Sequence, residues 1–226
     1  MSLHFDAELS DLTHKLSEMA NAAAHAVDRA VEALARRDDT LARQVETDDA
    51  ILDGFEKEID DIGIHLLAKA PLASELRLIT VAMKASHDLE RVGDEATTIA
   101  RRVLELNREP ALPMADRLPP MAALGLQLLR DAIAAFIARD AQAARALIPR
   151  DKQIDALNKQ VHRDLAAHIL TQPTSVTGCL NLMTIAKSLE RIGDHATNIA
   201  EETVFLREGE DIRHDPKAKE GGPGPT

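Results

Sequence analysis

The chain has no tryptophan, no tyrosine and four phenylalanines, so aromatics make up 2% of its 226 residues. A core drawn from 45% apolar residues must then be filled by Leu, Ile, Val, Ala and Met, the filling of helix bundles rather than of β-sandwiches. There is one cysteine, Cys179. It cannot close an internal disulfide and points to a reducing compartment. Positive charge is also in deficit. A formal net charge of −11 would repel phosphates along most of the surface, which argues against nucleic acid as a partner. No run of the roughly 20 apolar residues needed to span a bilayer is read. The start, Met1-Ser-Leu-His-Phe-Asp-Ala-Glu8, lacks the basic and apolar regions of a signal peptide. A cytoplasmic location with no direct membrane insertion is therefore expected.

What the chain does contain is an internal repeat. Leu89-Glu-Arg-Val-Gly-Asp-Glu-Ala-Thr-Thr-Ile-Ala100 returns as Leu189-Glu-Arg-Ile-Gly-Asp-His-Ala-Thr-Asn-Ile-Ala200, with nine of twelve positions identical. A repeat at a fixed interval sets the architecture before any other signal does.

Apolar residues recur every three or four positions along nearly the whole chain, the period of helices. A first helix carries Leu9, Leu12, Leu16, Met19 and onward to Leu34, with a break at Asp38-Asp39. A second carries Leu41, Val45, Leu52, Phe55, Ile59, Ile62 and Leu66, with Pro71 just beyond it. A third, with Ser74 as its expected cap, runs from Leu76 to Val103. Helices at 121–138, 151–170 and from about Thr174 or Ser175 to Arg207 repeat the plan, with Arg139-Asp140 mirroring Arg37-Asp38. The expected fold is all-α: two tandem homologous three-helix bundles, six long helices in all. The boundaries drawn are 1–108 for the first bundle, 109–120 for a linker holding Pro110, Pro113, Pro119 and Pro120, 121–208 for the second bundle, and 209–226 for a disordered polar tail.

The candidate site follows from the repeat. Glu90/Asp94 and Glu190/Asp194 are spaced i,i+4, so each pair lies on one helix face, where like charges repel by a few tenths of a kcal/mol. Each aspartate follows a glycine, Gly93 or Gly193, at a helix-interior cost of about 1 kcal/mol relative to alanine. That cost, accepted twice, implies close approach of another backbone or of a bound ion. The preceding helices carry matching pairs, Asp49/Asp53 and Asp151/Asp155. Convergence of these oxygens suits Fe, Mn, Mg, Ca or Zn rather than a soft thiolate metal, with Thr98 and Asn198 as supporting oxygens. A single Glu-x-x-x-Asp is ordinarily a solvated helix face. The duplication, the glycines and the matched partner pairs are what raise it to a site. Arg91 and Arg191 offer ion pairs that hold helices in register. His195, matched by Glu95, reads first as a surface residue. His87, matched by Lys187, does not read as a required ligand. Cys179 and the methionines read as core.

The second copy of the motif closely resembles the signature of the PhoU family of phosphate-uptake regulators. The resemblance extends over 3–207 and includes His4-Phe5-Asp6-Ala7-Glu8-Leu9 and Pro71-Leu-Ala-Ser-Glu-Leu-Arg77. It implies two three-helix bundles. It also implies a regulator that works with the ATPase subunit of a high-affinity phosphate ABC transporter and with a sensor histidine kinase, holding phosphate-starvation genes off when phosphate is abundant. A homodimer is the expected assembly. Some family members bind multinuclear iron or other metal clusters through such motifs. By position that role would fall on Asp49, Asp53, Glu90, Asp94, Asp151, Asp155, Glu190 and Asp194. The first copy departs from the usual pattern at Glu95 and Thr98. The residues show no nucleophile–base pair and no phosphate-binding glycine loop, so no catalysis is expected. The alternative reading is a carboxylate-bridged metal-binding bundle, for iron storage or as a di-iron enzyme. The absence of any Glu-x-x-His counts against it. A third reading is a purely structural helical adaptor.

Overall fold

The three-and-four apolar period becomes helix along almost the whole chain. The computed structural model describes residues 3–69 and 72–213. Eight α-helices follow one another: α1 Leu3–Arg36, α2 Asp39–Asp48, α3 Ala50–Leu67, α4 Ala73–Leu106, α5 Leu118–Ala138, α6 Ala141–Leu147, α7 Asp151–Thr171 and α8 Val176–Glu208. No strand occurs among the described residues. The expected second helix is α2 and α3, interrupted at Asp49 alone. Its counterpart is α6 and α7, joined by a 3₁₀ turn at Ile148–Arg150, where Pro149 can donate no backbone hydrogen bond. With each interrupted pair counted once, the six-helix plan in two sets of three stands.

The two sets also turn corners alike. Among the described residues, Arg37 and Arg139 are the non-glycine residues with positive φ, at 54° and 52°. Each is followed by an aspartate that caps the next helix: Asp38 accepts from the Thr40 and Leu41 amides, and Asp140 from Ala143. Arg37 also donates to the Leu106 and Glu109 carbonyls at 3.1 and 2.7 Å, tying its corner to the end of α4.

Several expectations are corrected. Ser74 does not cap α4. Leu72 holds the cap position, and the Glu75 carboxylate accepts from its amide at 3.3 Å. Ser175 does sit at the start of α8 but makes no capping bond, its hydroxyl donating back to Gln172. Leu118 is fully buried and opens α5, so the last three residues of the expected linker belong to a helix, with Pro119 and Pro120 in its first turn, where the missing N–H costs nothing. Ile212, in the expected tail, is 2% exposed, so 209–213 packs on the fold. The remaining tail, 214–226, and Pro71 lie outside the described residues. Among the described residues one stretch, Pro113–Ala138, is long and apolar enough to cross a membrane by length and composition. It is apolar because α5 sits between α8 and α1, burying Met121, Leu129, Ala132 and Phe136 among others.

The two sets meet chiefly where α4 packs on α8. Helices of 34 and 33 residues are about 50 Å long, and polar ties run down their contact. Lys84 donates to both oxygens of Glu202 at 3.0 and 3.1 Å. Asn198 donates to Asp88 Oδ1 at 3.0 Å, which also lies 2.9 Å from His195 Nδ1. Arg191 donates to Glu95 at 3.1 Å. Numbers rise along one helix as they fall along the other, so the two run antiparallel. Because the helices are repeats of each other, this interface is close to two-fold, with equivalent faces meeting.

Candidate functional site

The glycines inside the motif position the acidic pairs. A Cβ on Gly93 would collide with the Leu52 side chain, and one on Gly193 would stand 2.8 Å from Ile154 Cδ1 and 2.9 Å from Asp151 Oδ1. Each glycine therefore lets the α3 or α7 side chains settle onto the neighbouring long helix. With them come Asp49 and Asp151, laid beside Asp94 and Asp194. The close approach expected of another backbone is made instead by side chains, an apolar packing contact that carries a carboxylate with it.

Both acidic sets open onto one groove between the repeats, a cavity of about 1230 Å³. Asp49, Asp94, Asp151, Asp155, Glu190 and Asp194 line it, whereas Asp53 and Glu90 are not among its lining residues. Six of the eight expected residues, from both repeats, thus share one space. Cations line it too, namely Arg91, Arg101, Lys152, Arg191 and Arg213. Nothing in the motif singled out the last of these; its path into the groove depends on how the chain turns after α8.

The negative charge is crowded. Burial raises the Asp49 carboxyl above the ordinary carboxylate range, with Asp94 and Asp53 adding to the shift and a Thr97 hydrogen bond opposing it. Asp194 is raised by the protein packed around it although its side chain reaches the groove, then by Glu190 and Asp155, against Lys187 and His195. Glu90 is raised by burial and by Asp94, with Arg91 opposing. Thr97 supports Asp49, and the two oxygens expected one turn beyond Asp94 and Asp194, those of Thr98 and Asn198, both line the groove. Asn198 also donates to Asp88.

The arginines of the motif divide. Arg191 crosses to Glu95, the register-holding pair expected of it, while Arg91 pairs within its own helix with Asp94 at 2.8 Å. The two-fold equivalent of Glu95 is His195, which offers Arg91 no anion. His195 is not a surface residue: its side chain is 20% exposed and tied to Asp88 across the interface. Cys179 is buried, as expected.

An antiparallel pair of three-helix repeats with a groove lined by carboxylates and cations between them defines a class: a helical-bundle protein with an internal repeat. The family model for the PhoU domain matches twice, at residues 16–103 and 118–203. This chain belongs to the PhoU family. It is 38% identical over 208 residues to a phosphate-specific transport system accessory protein PhoU homolog of Rhizobium meliloti (strain 1021), an alignment covering 91% of this chain and 87% of that protein. A homolog of the same description from Pseudomonas aeruginosa is 37% identical, with 95% and 89% covered. The crystal structure of PhoU from Pseudomonas aeruginosa superposes with a TM-score of 0.87 at 36% identity, covering 91% of this chain and all of that one. The phosphate transport system regulatory protein PhoU from Streptococcus pneumoniae gives 0.86 at 29% identity, with 92% and 99% covered.

Proposed function

We propose that this chain is a non-enzymatic accessory protein of phosphate transport. It acts in the cytoplasm with the ATPase subunit of a phosphate ABC transporter and with a sensor histidine kinase, holding phosphate-starvation genes off when phosphate is plentiful. The observation that carries the reading is the pairing of two PhoU repeats along the whole fold with relatives described as accessory proteins of phosphate-specific transport. The groove supports it physically. Interleaved carboxylates and guanidinium groups on two rigid long helices give a fixed charge pattern, which favours recognition of a charged protein surface and makes association weaken as salt rises.

The same groove is proposed to hold cations. Burial, with Asp94 and Asp53 beside Asp49 and with Glu190 and Asp155 beside Asp194, raises those two carboxyls, and an iron cluster or Zn, Mn, Mg or Ca held by Asp49, Asp94, Asp155, Glu190 and Asp194 would neutralise the crowded charge through oxygen donors. Asp53, Glu90 and Asp151 stand beside the same sets. A bound cation would fix the carboxylates in one arrangement and so fix the docking surface.

The test is a clean deletion strain carrying a phosphate-starvation reporter in phosphate-rich medium. The reporter should stay on and uptake should be unrestrained, with wild-type protein restoring repression and the D94N/D194N variant restoring it in part. Normal repression in the deletion strain, with no second copy of the gene, would falsify the assignment.

A further inference from the structure

Glu90 turns away from the groove toward two residues that the repeat did not single out. Glu56 stands on α3, and His87 and Glu90 stand three apart on α4. Among the described residues these three form the set of His, Cys or carboxylate side chains whose ligand atoms all lie within 4.8 Å of one another. His87 Nδ1 is 3.1 Å from Glu56 Oε1. Tetrahedral donors held about 2.0–2.1 Å from zinc are about 3.3 Å apart, so the pair is already at ligand spacing. Glu90 Oε2 is buried and accepts no hydrogen bond. Its cationic neighbour is Arg91 on the adjacent residue, whose Nε lies 3.4 Å away without a hydrogen bond while its Nη1 donates to Asp94.

The second repeat shows what the same place looks like when its cation is built in. Lys187 replaces His87, and its ammonium donates to Glu190. Asn158 replaces Glu56 at the 102-residue offset that also relates Asp49 to Asp151. Its Oδ1 is buried without a hydrogen bond. An ammonium, a carboxylate and an amide need no further positive charge. An imidazole and two carboxylates present three donors and lack one.

We propose that Glu56, His87 and Glu90 bind a first-row divalent transition cation, Zn²⁺ or a neighbour in that row, in the first repeat only, and that Lys187 takes the cation's place in the second. The imidazole favours such ions over Mg²⁺ and Ca²⁺. Side-chain exposures of 28% for Glu56, 59% for His87 and 16% for Glu90 leave the cation open on one side, with room for water or a donor from a partner. The site shares Glu90 with the acidic sets of the groove but depends on His87, which they do not.

Zn²⁺ titration of the intact chain, followed by calorimetry and by the NMR signals of the histidine rings, tests this. The His87 ring signals should shift in the tightest step, and excess Mg²⁺ or Ca²⁺ should not reverse them. H87A and E56Q should each weaken that step by at least about 10-fold, the loss seen when merely a ligand's support is disturbed. H14A, at an exposed histidine on α1, should leave it unchanged. An H87A affinity equal to wild type, or an unshifted His87 ring at saturation, overturns the proposal. If that happens while D94N/D194N loses metal, the groove still holds cations and this site does not. If H87A weakens binding and D94N/D194N does not, the reverse is established. The N158E/K187H variant should gain a second equivalent. Stoichiometry unchanged in a folded double variant overturns the claim that these two positions decide the asymmetry.

Discussion

The first repeat presents Glu56, His87 and Glu90 where the second presents Asn158, Lys187 and Glu190, and the exchange changes where each half finds its positive charge. The same contrast runs along the α4–α8 interface. Arg191 reaches across to Glu95, but its equivalent Arg91 faces His195 and folds back onto Asp94. Asp88 receives His195 and Asn198, whereas its equivalent is Ser188, 2% exposed. Lys84 binds Glu202, whereas the equivalent positions hold Thr184 and Arg102. Duplication supplies a two-fold frame, and the Lys84–Glu202, His195–Asp88 and Arg191–Glu95 ties across it are each made on one side only. Each side that keeps a tie can therefore be read against an equivalent side that lacks it.

The largest effect is expected where a one-sided tie is buried. Glu202, whose side chain is 6% exposed, is held by Lys84 and by Arg213 at 3.3 Å. Removing both partners in K84M/R213M leaves an uncompensated carboxylate, at about 3 kcal/mol. Thermal unfolding should fall by roughly 6–12 °C at about 2–4 °C per kcal/mol for a chain of this size, while T184A, on the other side of the frame, should change it little.

The glycine contacts are the part of the frame that both halves keep. G93V and G193V should each overpack the α3 or α7 contact, costing about 2 kcal/mol and lowering the melting temperature by roughly 4–8 °C. An effect confined to one of the two would break the equivalence.

A smaller effect is expected from moving the asymmetry itself. H195E sets a second carboxylate against Asp88 and should cost about 1 kcal/mol in chemical denaturation. Adding D88S reproduces on this side the arrangement of Ser188, Glu95 and Arg191, and should recover most of the loss by giving Arg91 a partner across the interface.

The smallest is electrostatic relief at Asp194. Its carboxyl is raised above the ordinary range by surrounding protein and by Glu190 and Asp155, so the folded state holds the proton longer than the unfolded state as pH rises. Stability is lost as pH climbs from the ordinary carboxylate pKa through the raised value, and the cost is full at neutral pH. With chelator present, D194N should therefore raise the melting temperature by about 1 °C at pH 7, the size of one like-charge pair, and the gain should vanish below the ordinary carboxylate pKa.

Much of this was legible in the chain. Helical period, the hundred-residue repeat, the Arg–Asp corners and the four acidic pairs are local patterns, and local patterns follow from propensity and spacing. The Glu56–His87 contact was not legible. It joins residues 31 apart whose repeat equivalents differ, so the comparison of copies that exposed Glu90 and Asp94 argued against His87. Arg213 was missed because a short polar segment after a glycine reads as tail, and its anchor, Ile212, is a single apolar residue.

The sequence by itself determined the helices, their division into two equivalent sets, and which faces carry carboxylates, because each depends on side chains a few positions apart. Only the tertiary structure decided that α4 and α8 lie antiparallel, that six of the eight acidic residues share one groove while Glu90 turns to Glu56 and His87, and that Arg191 crosses where Arg91 does not. Those outcomes depend on pairings across the interface, where the free energy of a charge is set by what the opposite helix brings to it.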